Sequence, residues 1–346
     1  MKKQFILLGI SLIMFTGYAQ NKTEDFKPSG KVNAKVFWNY HYDMTSGETQ
    51  ESSFQIKRAY FGYKYNLSKA FTASVTFDIG KNEGGSDYTT YLKKAQLDWK
   101  LSDQVKLSMG MIGMVQFSDQ EKFWGYRYLM KSYQDQYGFG SSADLGVKAN
   151  FKLSKLLSAN LFIVNGEGYK KVQDRFGQQK VGGNLILKLD NGISAKIYYD
   201  SNSFKFDKTG DGSVIADTTS ISTMAAFVGY KAEKFRIGAE FNQMFNGKKY
   251  SSPAEDQDLF GYSAYATYII NKKLEVFGRF DHLESNTLSG DTTPWNYAKD
   301  GDAIVAGIQY APVKGVKMAL NYQGWKFDNA DKSTEAILLL NFEYKF

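Results

Sequence analysis

The sequence predicts an all-β fold: a transmembrane antiparallel β-barrel of about sixteen strands, with its third external loop folded inward. Three observations carry this prediction. Segments of about ten residues alternate apolar and polar side chains with period two, the pattern of strands with one greasy and one wet face. The connections between them alternate short and long, as in outer-membrane barrels. The last segment, from Glu335, places Ala336, Leu338, Leu340, Phe342, Tyr344 and Phe346 on one parity, so that an aromatic residue ends a closing strand.

Taken in order, the chain opens with a leader. Lys2 and Lys3 precede an apolar run from Phe5 to Phe15, followed by Gly17-Tyr18-Ala19-Gln20. The run is too short for a membrane-spanning helix and carries the small residues of a cleavage site. Residues 1–19 are therefore expected to be a signal peptide, and residues 20–346 a single barrel domain. In the first strand Val32, Ala34, Val36, Trp38, Tyr40 and Tyr42 oppose Asn33, Lys35, Phe37, Asn39 and His41, a largely polar face. Strands are expected at 31–43, 54–67, 71–80, 90–101, 105–116, 142–153, 156–165, 179–189, 192–202, 221–231, 235–246, 259–270, 273–284, 302–312, 315–327 and 335–346. Ser68-Lys69-Ala70, Ser102-Asp103-Gln104, Ser154-Lys155, Asp190-Asn191, Ala232-Glu233-Lys234, Asn271-Lys272 and Val313-Lys314 read as tight periplasmic turns, and the long polar connections between them as external loops. Aromatic girdles are expected from Trp38, Tyr40, Tyr42, Phe260 and Tyr262 at the external side, and from Trp99, Phe235, Tyr310, Phe342 and Tyr344 toward the turns.

Composition excludes other classes. No cysteine occurs in the 346 residues, so neither a disulfide framework nor a thiolate metal site stabilises the chain. No apolar run after the leader approaches the ~20 residues of a membrane helix, so any membrane crossing is by strands. The net charge of +7, or +5 once Lys2 and Lys3 leave, is dispersed rather than gathered in a run, which favours anionic solutes over nucleic acid. Of the two histidines, His41 and His282, neither has a serine in a nucleophile setting, so no enzyme activity and no cofactor are expected. Asp207, Asp211 and Asp217 resemble the start of a calcium loop, but the twelfth position is Thr218. A solvated turn is expected there rather than a metal site.

The longest interruption of strand periodicity between the fifth and sixth strands runs from Phe117 to Gly140. Ser118 and Glu121 form an S-x-x-E capping-box pattern, which predicts a helix from about Asp119 to Tyr133. Phe123, Trp124, Tyr126, Tyr128 and Tyr133 would pack on the barrel wall, leaving Glu121, Arg127 and Lys131 toward the water path as a pore constriction. The polar parity of the strands places Arg58, Lys64, Lys94, Lys148, Arg236, Arg279 and Asp281 on the lumen.

Several stretches then carry a resemblance: Phe54-Gln-Ile-Lys-Arg-Ala-Tyr-Phe-Gly-Tyr63, Leu92-Lys-Lys-Ala-Gln-Leu97, Glu121-Lys-Phe-Trp-Gly-Tyr-Arg-Tyr128, Ser141-Ser-Ala-Asp-Leu-Gly146, Val164-Asn-Gly-Glu-Gly-Tyr169 and Arg279-Phe-Asp-His282. On these the chain resembles the porins of Bacteroidota related to the phosphate-selective porin O and P family. The resemblance implies a sixteen-stranded, trimeric channel for passive diffusion. It departs in lacking a closely spaced Arg and Lys ladder. The expected function is an outer-membrane porin for small hydrophilic solutes with weak anion preference, phosphate-like by resemblance only. Its expected partners are outer-membrane lipid, such solutes, a homotrimer, and the barrel-assembly machinery reading Phe346. The alternative is a surface receptor or adhesin barrel using the loops at 201–220, 244–258 and 284–301.

Overall fold

The computed structural model describes residues 26–82, 84–173, 179–206 and 217–346. In chain order the elements are β1 (Ser29–Asp43), β2 (Ser52–Asn66), β3 (Phe71–Gly80), β4 (Thr89–Lys100), β5 (Val105–Gly113), α1 (Ser118–Trp124), α2 (Tyr133–Gln136), β6 (Ala143–Lys152), β7 (Leu157–Val164), β8 (Lys180–Lys188) and β9 (Ile193–Phe206). They continue with β10 (Asp217–Lys231), β11 (Phe235–Phe245), a small hairpin β12 (Gly247–Lys249) and β13 (Ser252–Pro253), then β14 (Leu259–Asn271), β15 (Leu274–Ser285), β16 (Gly301–Tyr310), β17 (Val316–Phe327) and β18 (Glu335–Lys345). Apart from the hairpin, the strands pair in sequence order, antiparallel throughout, and β1 pairs with β18 to close the sheet. Among the described residues this is a closed sixteen-stranded barrel, the expected fold class. Closure matters because a strand edge in hydrocarbon would leave unpaired N–H and C=O groups, each costing several kcal/mol.

Four of the seven tight turns share one device. Ser68, Ser102 and Ser154 each accept hydrogen bonds through the side-chain hydroxyl from the backbone N–H groups two and three residues ahead, at 3.0–3.1 Å. Asn271 does the same with its amide oxygen, from Lys273 and Leu274 at 2.8 and 3.1 Å. A short polar side chain that satisfies the turn backbone locally is what lets these connections stay tight.

Period-two alternation sorts the side chains. On β14, Leu259, Gly261, Ser263, Tyr265 and Thr267 are buried, while Tyr262, Ala264, Ala266 and Tyr268 are exposed. The exposed parity carries large apolar residues around the barrel, among them Leu161, Ile197, Val228, Ile304 and Leu320. A soluble monomer does not display so continuous an apolar surface, whereas lipid requires one. The expected aromatic belts need one correction: Trp38 and Phe342 stand at the same level, paired across β1 and β18, with rings stacked at 3.9 Å. They belong to one belt, because the register of the closing pair sets height and β1 runs well past Trp38 in both directions.

Three irregularities break the alternation, one of them at Ile270 beside a tight turn and two within the barrel wall. Between Phe37 and Trp38 the register with β2 slips so that Lys57 is the extra residue, and between Thr76 and Phe77 the register with β4 slips so that Lys93 is. Each is a β-bulge, which twists the strand and re-aims side chains locally.

Candidate pore constriction

The segment between β5 and β6 enters the barrel. Its helix is shorter than the capping pattern suggested: α1 begins at Ser118 itself, Phe117 is the N-cap residue, and no side-chain cap forms. Gly125, at φ 78°, ends it. That left-handed conformation is one an L side chain resists and glycine accepts, so the helix stops halfway along the predicted span. Arg127 and Lys131 therefore do not share a helical face. They lie in the non-helical stretch between α1 and α2, and a second glycine, Gly138 at φ 76°, turns the chain back toward β6.

Aromatic residues anchor this segment to one side of the wall. Trp124 is buried against Tyr126, Tyr265 and Phe277 and donates its indole N–H to the Met130 carbonyl at 2.9 Å. The Tyr126 hydroxyl donates to Glu275 at 2.6 Å, Tyr128 to Gln309 at 3.0 Å, Tyr133 to the His282 carbonyl at 2.8 Å and Tyr137 to Asp281 at 2.8 Å. Lys196, almost fully buried, donates to the carbonyls of Val115 and Gln116, both at 2.6 Å, and stands 3.6 Å from Asp119. Arg279 donates to the Lys131 carbonyl at 2.6 Å and is paired with Asp281 at 2.6 Å. All these partners belong to β9 and β14–β16, so the segment leans on that half of the barrel.

The other half stays open, and charged groups face it. On the loop, Arg127 lies 3.3 Å from Glu121 and 3.1 Å from Asp135, and Lys131 lies 3.6 Å from the same Asp135. Burial alone would raise the Asp135 pKa, but Lys131, Arg127, Lys93 and Arg58 outweigh it and hold the carboxyl below its usual range. Arg127 is likewise opposed by burial but kept charged by Tyr60, Asp135 and Glu121, whereas burial leaves the Lys131 amine easier to deprotonate than usual. On the facing wall Arg58 pairs with Asp78 at 3.1 Å, Lys93 lies 3.9 Å from the same carboxylate, and Lys93 also sits 4.7 Å over the Tyr60 ring. Tyr169, from the following external loop, donates to Asp78 as well.

The residues expected on the lumen divide into groups. Arg58 stands in the wall cluster just described, and Lys94 and Lys148 line the open cavity, Lys148 donating to the Gly113 carbonyl. Lys64 is exposed near the tight-turn end, across from Lys31. Arg236, Arg279 and Asp281 point to the interior but lie beneath the loop: Arg236 is 3.7 Å from Glu275 and 3.4 Å from the Trp124 carbonyl, while Arg279 and Asp281 are only 4% and 1% exposed. Packing against the loop removes Arg279 and Asp281 from the water path, while Arg236 is only partly covered. Asp207 and Asp211 lie outside the described residues, as does the side chain of Asp217. The backbone of Phe346 pairs with Ala34 at 3.0 and 3.1 Å and its ring is exposed. Sequence reading missed Asp135 and Lys93. Asp135 could have been found from its four-residue spacing to Lys131, and Lys93 from the two lysines between Leu92 and Ala95, where strict alternation allows one polar residue.

On the tight-turn side of the loop the open half forms a cavity of about 920 Å³. It is lined by eight lysines and arginines, including Lys35, Lys93, Lys94, Arg127, Lys148 and Lys345, against two acidic side chains, Glu121 and Asp135.

The family described as "Putative beta-barrel porin-2, OmpL-like" matches residues 142–323, just over half of the chain. The chain belongs to this family. It is a porin, an outer-membrane β-barrel channel, and the family and fold are those of channels rather than enzymes. Among solved structures, the porin is similar to the outer membrane channel DcaP of Acinetobacter baumannii, with 14% identity, 92% of this chain and 97% of that chain covered, and a TM-score of 0.68. The OmpF of Salmonella typhi in complex with daunomycin gives the same identity, coverages and TM-score. The anion-selective porin from Comamonas acidovorans gives 12% identity, 92% and 100% coverage, and a TM-score of 0.66. At these identities the likeness speaks for the fold. No curated protein matches the porin in sequence.

Proposed function

We propose that the porin is a passive diffusion channel for small hydrophilic solutes with a weak preference for anions, and that its narrowest section lies between the loop group Glu121, Arg127, Lys131 and Asp135 and the wall group Arg58, Lys93 and Lys94. The excess of cationic over acidic side chains around the open cavity supports this reading more than any other observation. Within the loop group alone, two cations face two carboxylates and nearly cancel. The preference therefore comes from the wall, where the bulge residue Lys93 joins Lys94 on the cavity lining. In a confined, partly desolvated passage such charges act through less screening water than on an open surface.

The cations are scattered along the sequence and gathered only by the fold, and the resemblance to phosphate-selective porins makes phosphate-like solutes reasonable permeants. Current reversal potentials across a planar bilayer with a salt gradient test the reading. Anion-preferring values are expected, and cation preference in the unaltered porin would overturn it. We also propose export by cleavage after Ala19, insertion through the barrel-assembly machinery reading Phe346, and a homotrimer. An OmpT of Vibrio cholerae with the same fold is described in a trimer form, and light scattering of the purified porin tests the last point.

A further inference from the structure

On the long-loop side of the constriction lies a second chamber, of about 490 Å³, floored by Met130 and Tyr137 of the inward loop. Its wall is unlike the interior of a channel for hydrated ions, which is polar. Leu283 of β15, Ala303 and Val305 of β16, Trp325 of β17 and Ile337 of β18 all point inward on adjacent strands, with Ala303 directly across from Trp325. Some of this apolar surface seats the loop: Leu259 and Leu283 belong to the cluster that packs Tyr133 and Phe139. Trp325 and Tyr137 pack against the same cluster with their rings 5.4 Å apart, yet Trp325, Phe327 and Ile337 remain half-buried and border the chamber. Seating the loop therefore does not use up the patch. Lys248, Lys249 and Lys299 also line the chamber, against the single carboxylate of Glu335.

We propose that this chamber is a binding subsite for amphiphilic anions, solutes with a flat or branched apolar body and one sulfonate, carboxylate or phosphate group. The volume is that of a small-molecule pocket. The apolar wall accepts the body, and the three lysines attract the head. The site deepens the anion-channel reading and rests on it for the direction of passage, but binding requires no passage, so the two can be tested apart.

The test is calorimetric titration of the full-length porin in lipid nanodiscs with naphthalene-2-sulfonate, and with methanesulfonate as a probe of equal charge and no apolar body. Naphthalene-2-sulfonate should bind and methanesulfonate should not. Trp325→Ala, which removes part of the wall, and Ala303→Phe, which fills the chamber and serves as the blank for partition into lipid, should each weaken binding at least about tenfold. Exchanging Lys248, Lys249 and Lys299 together for Gln should weaken it about threefold and remove most of its salt dependence. Heat-modifiable migration on a gel verifies that each variant is folded. Equal behaviour of the two sulfonates, or unchanged binding in folded Ala303→Phe, overturns the subsite. Binding by a barrel that conducts no ions would overturn the channel reading and keep the subsite, whereas conducting barrels that do not bind the probe would do the reverse.

Discussion

Replacing Arg127 and Lys131 together by Ala should shift the channel's selectivity toward cations while the barrel still inserts. The structure sets the size. The pair shares Asp135 and Glu121, so its removal takes the loop group from near neutrality to two negative charges. An ion passing about 6 Å from each charge feels roughly 0.7 kcal/mol per charge in water-like dielectric. Screening at 0.1 M salt, with a Debye length of about 10 Å, leaves roughly 0.4 kcal/mol of that. Two charges thus move an anion up by about 0.8 kcal/mol and a cation down by as much, a difference near 1.6 kcal/mol and about a fifteenfold change in the anion-to-cation permeability ratio. The assay is the reversal potential in a KCl gradient across a planar bilayer. Asp135→Asn should move it the opposite way, and Lys248→Gln with Lys249→Gln, in the wider chamber outside the constriction, should move it much less than the loop pair does. If the loop pair is silent while Arg58→Gln or Lys93→Gln dominates, the segment is a lid rather than the constriction, and the reasoning fails.

Other outcomes follow from the same geometry. Anion preference should decline as pH rises through about 8: Lys170, which follows Tyr169 on its loop and sits 4.5 Å over the Tyr91 ring, is pushed down to about 8 by burial and by Arg58, and burial also lowers Lys131, so both lose positive charge before surface lysines do. A reversal potential flat from pH 6.5 to 9.5, or unaffected by Lys170→Arg, would contradict this. Lys196→Met leaves two buried carbonyls without their donor and Asp119 without its buried cation, at a cost of about 3 kcal/mol to loop docking. Single channels of this variant should be larger and noisier, and unaltered traces would show that the loop is held elsewhere. Deleting Phe346 removes its two backbone bonds to Ala34 together with the terminal ring, and should reduce the fast-migrating folded form on unboiled gels without lowering export. Cysteines at Ser251 and Ser289 should be labelled on intact cells, and those at Lys69, Lys155 or Lys272 should not.

The strands were legible because lipid outside and polar groups inside impose period two on every crossing, and a one-residue error would put charges such as Asp281 into hydrocarbon. Four of the tight turns were legible for a local reason: Ser68, Ser102, Ser154 and Asn271 satisfy their own turn backbones. The loop was less so. A capping box is a local preference worth about 1 kcal/mol, and a glycine seven residues after Ser118, combined with the burial of Trp124, Tyr126 and Tyr128 on three sites of the wall, outweighs it.

The site was legible as residue types and illegible as an arrangement, for a reason visible at the two bulges. Strict alternation assigns one face to every second residue, so Lys57-Arg58 and Lys93-Lys94 were each counted as one inward cation and one outward. The structure inserts an extra residue at Lys57 and at Lys93, which returns Leu92 and Ala95 to the lipid side while Lys93 and Lys94 both reach the cavity lining. The alternative, a lysine facing hydrocarbon in the middle of β4, would cost about 2–4 kcal/mol at the bilayer midplane. The membrane itself therefore selects the bulge, and the bulge concentrates positive charge opposite Asp135. A chain without closely spaced basic residues on any one strand face still assembles a basic wall, because the penalty for charge in lipid drives neighbouring lysines to the same side.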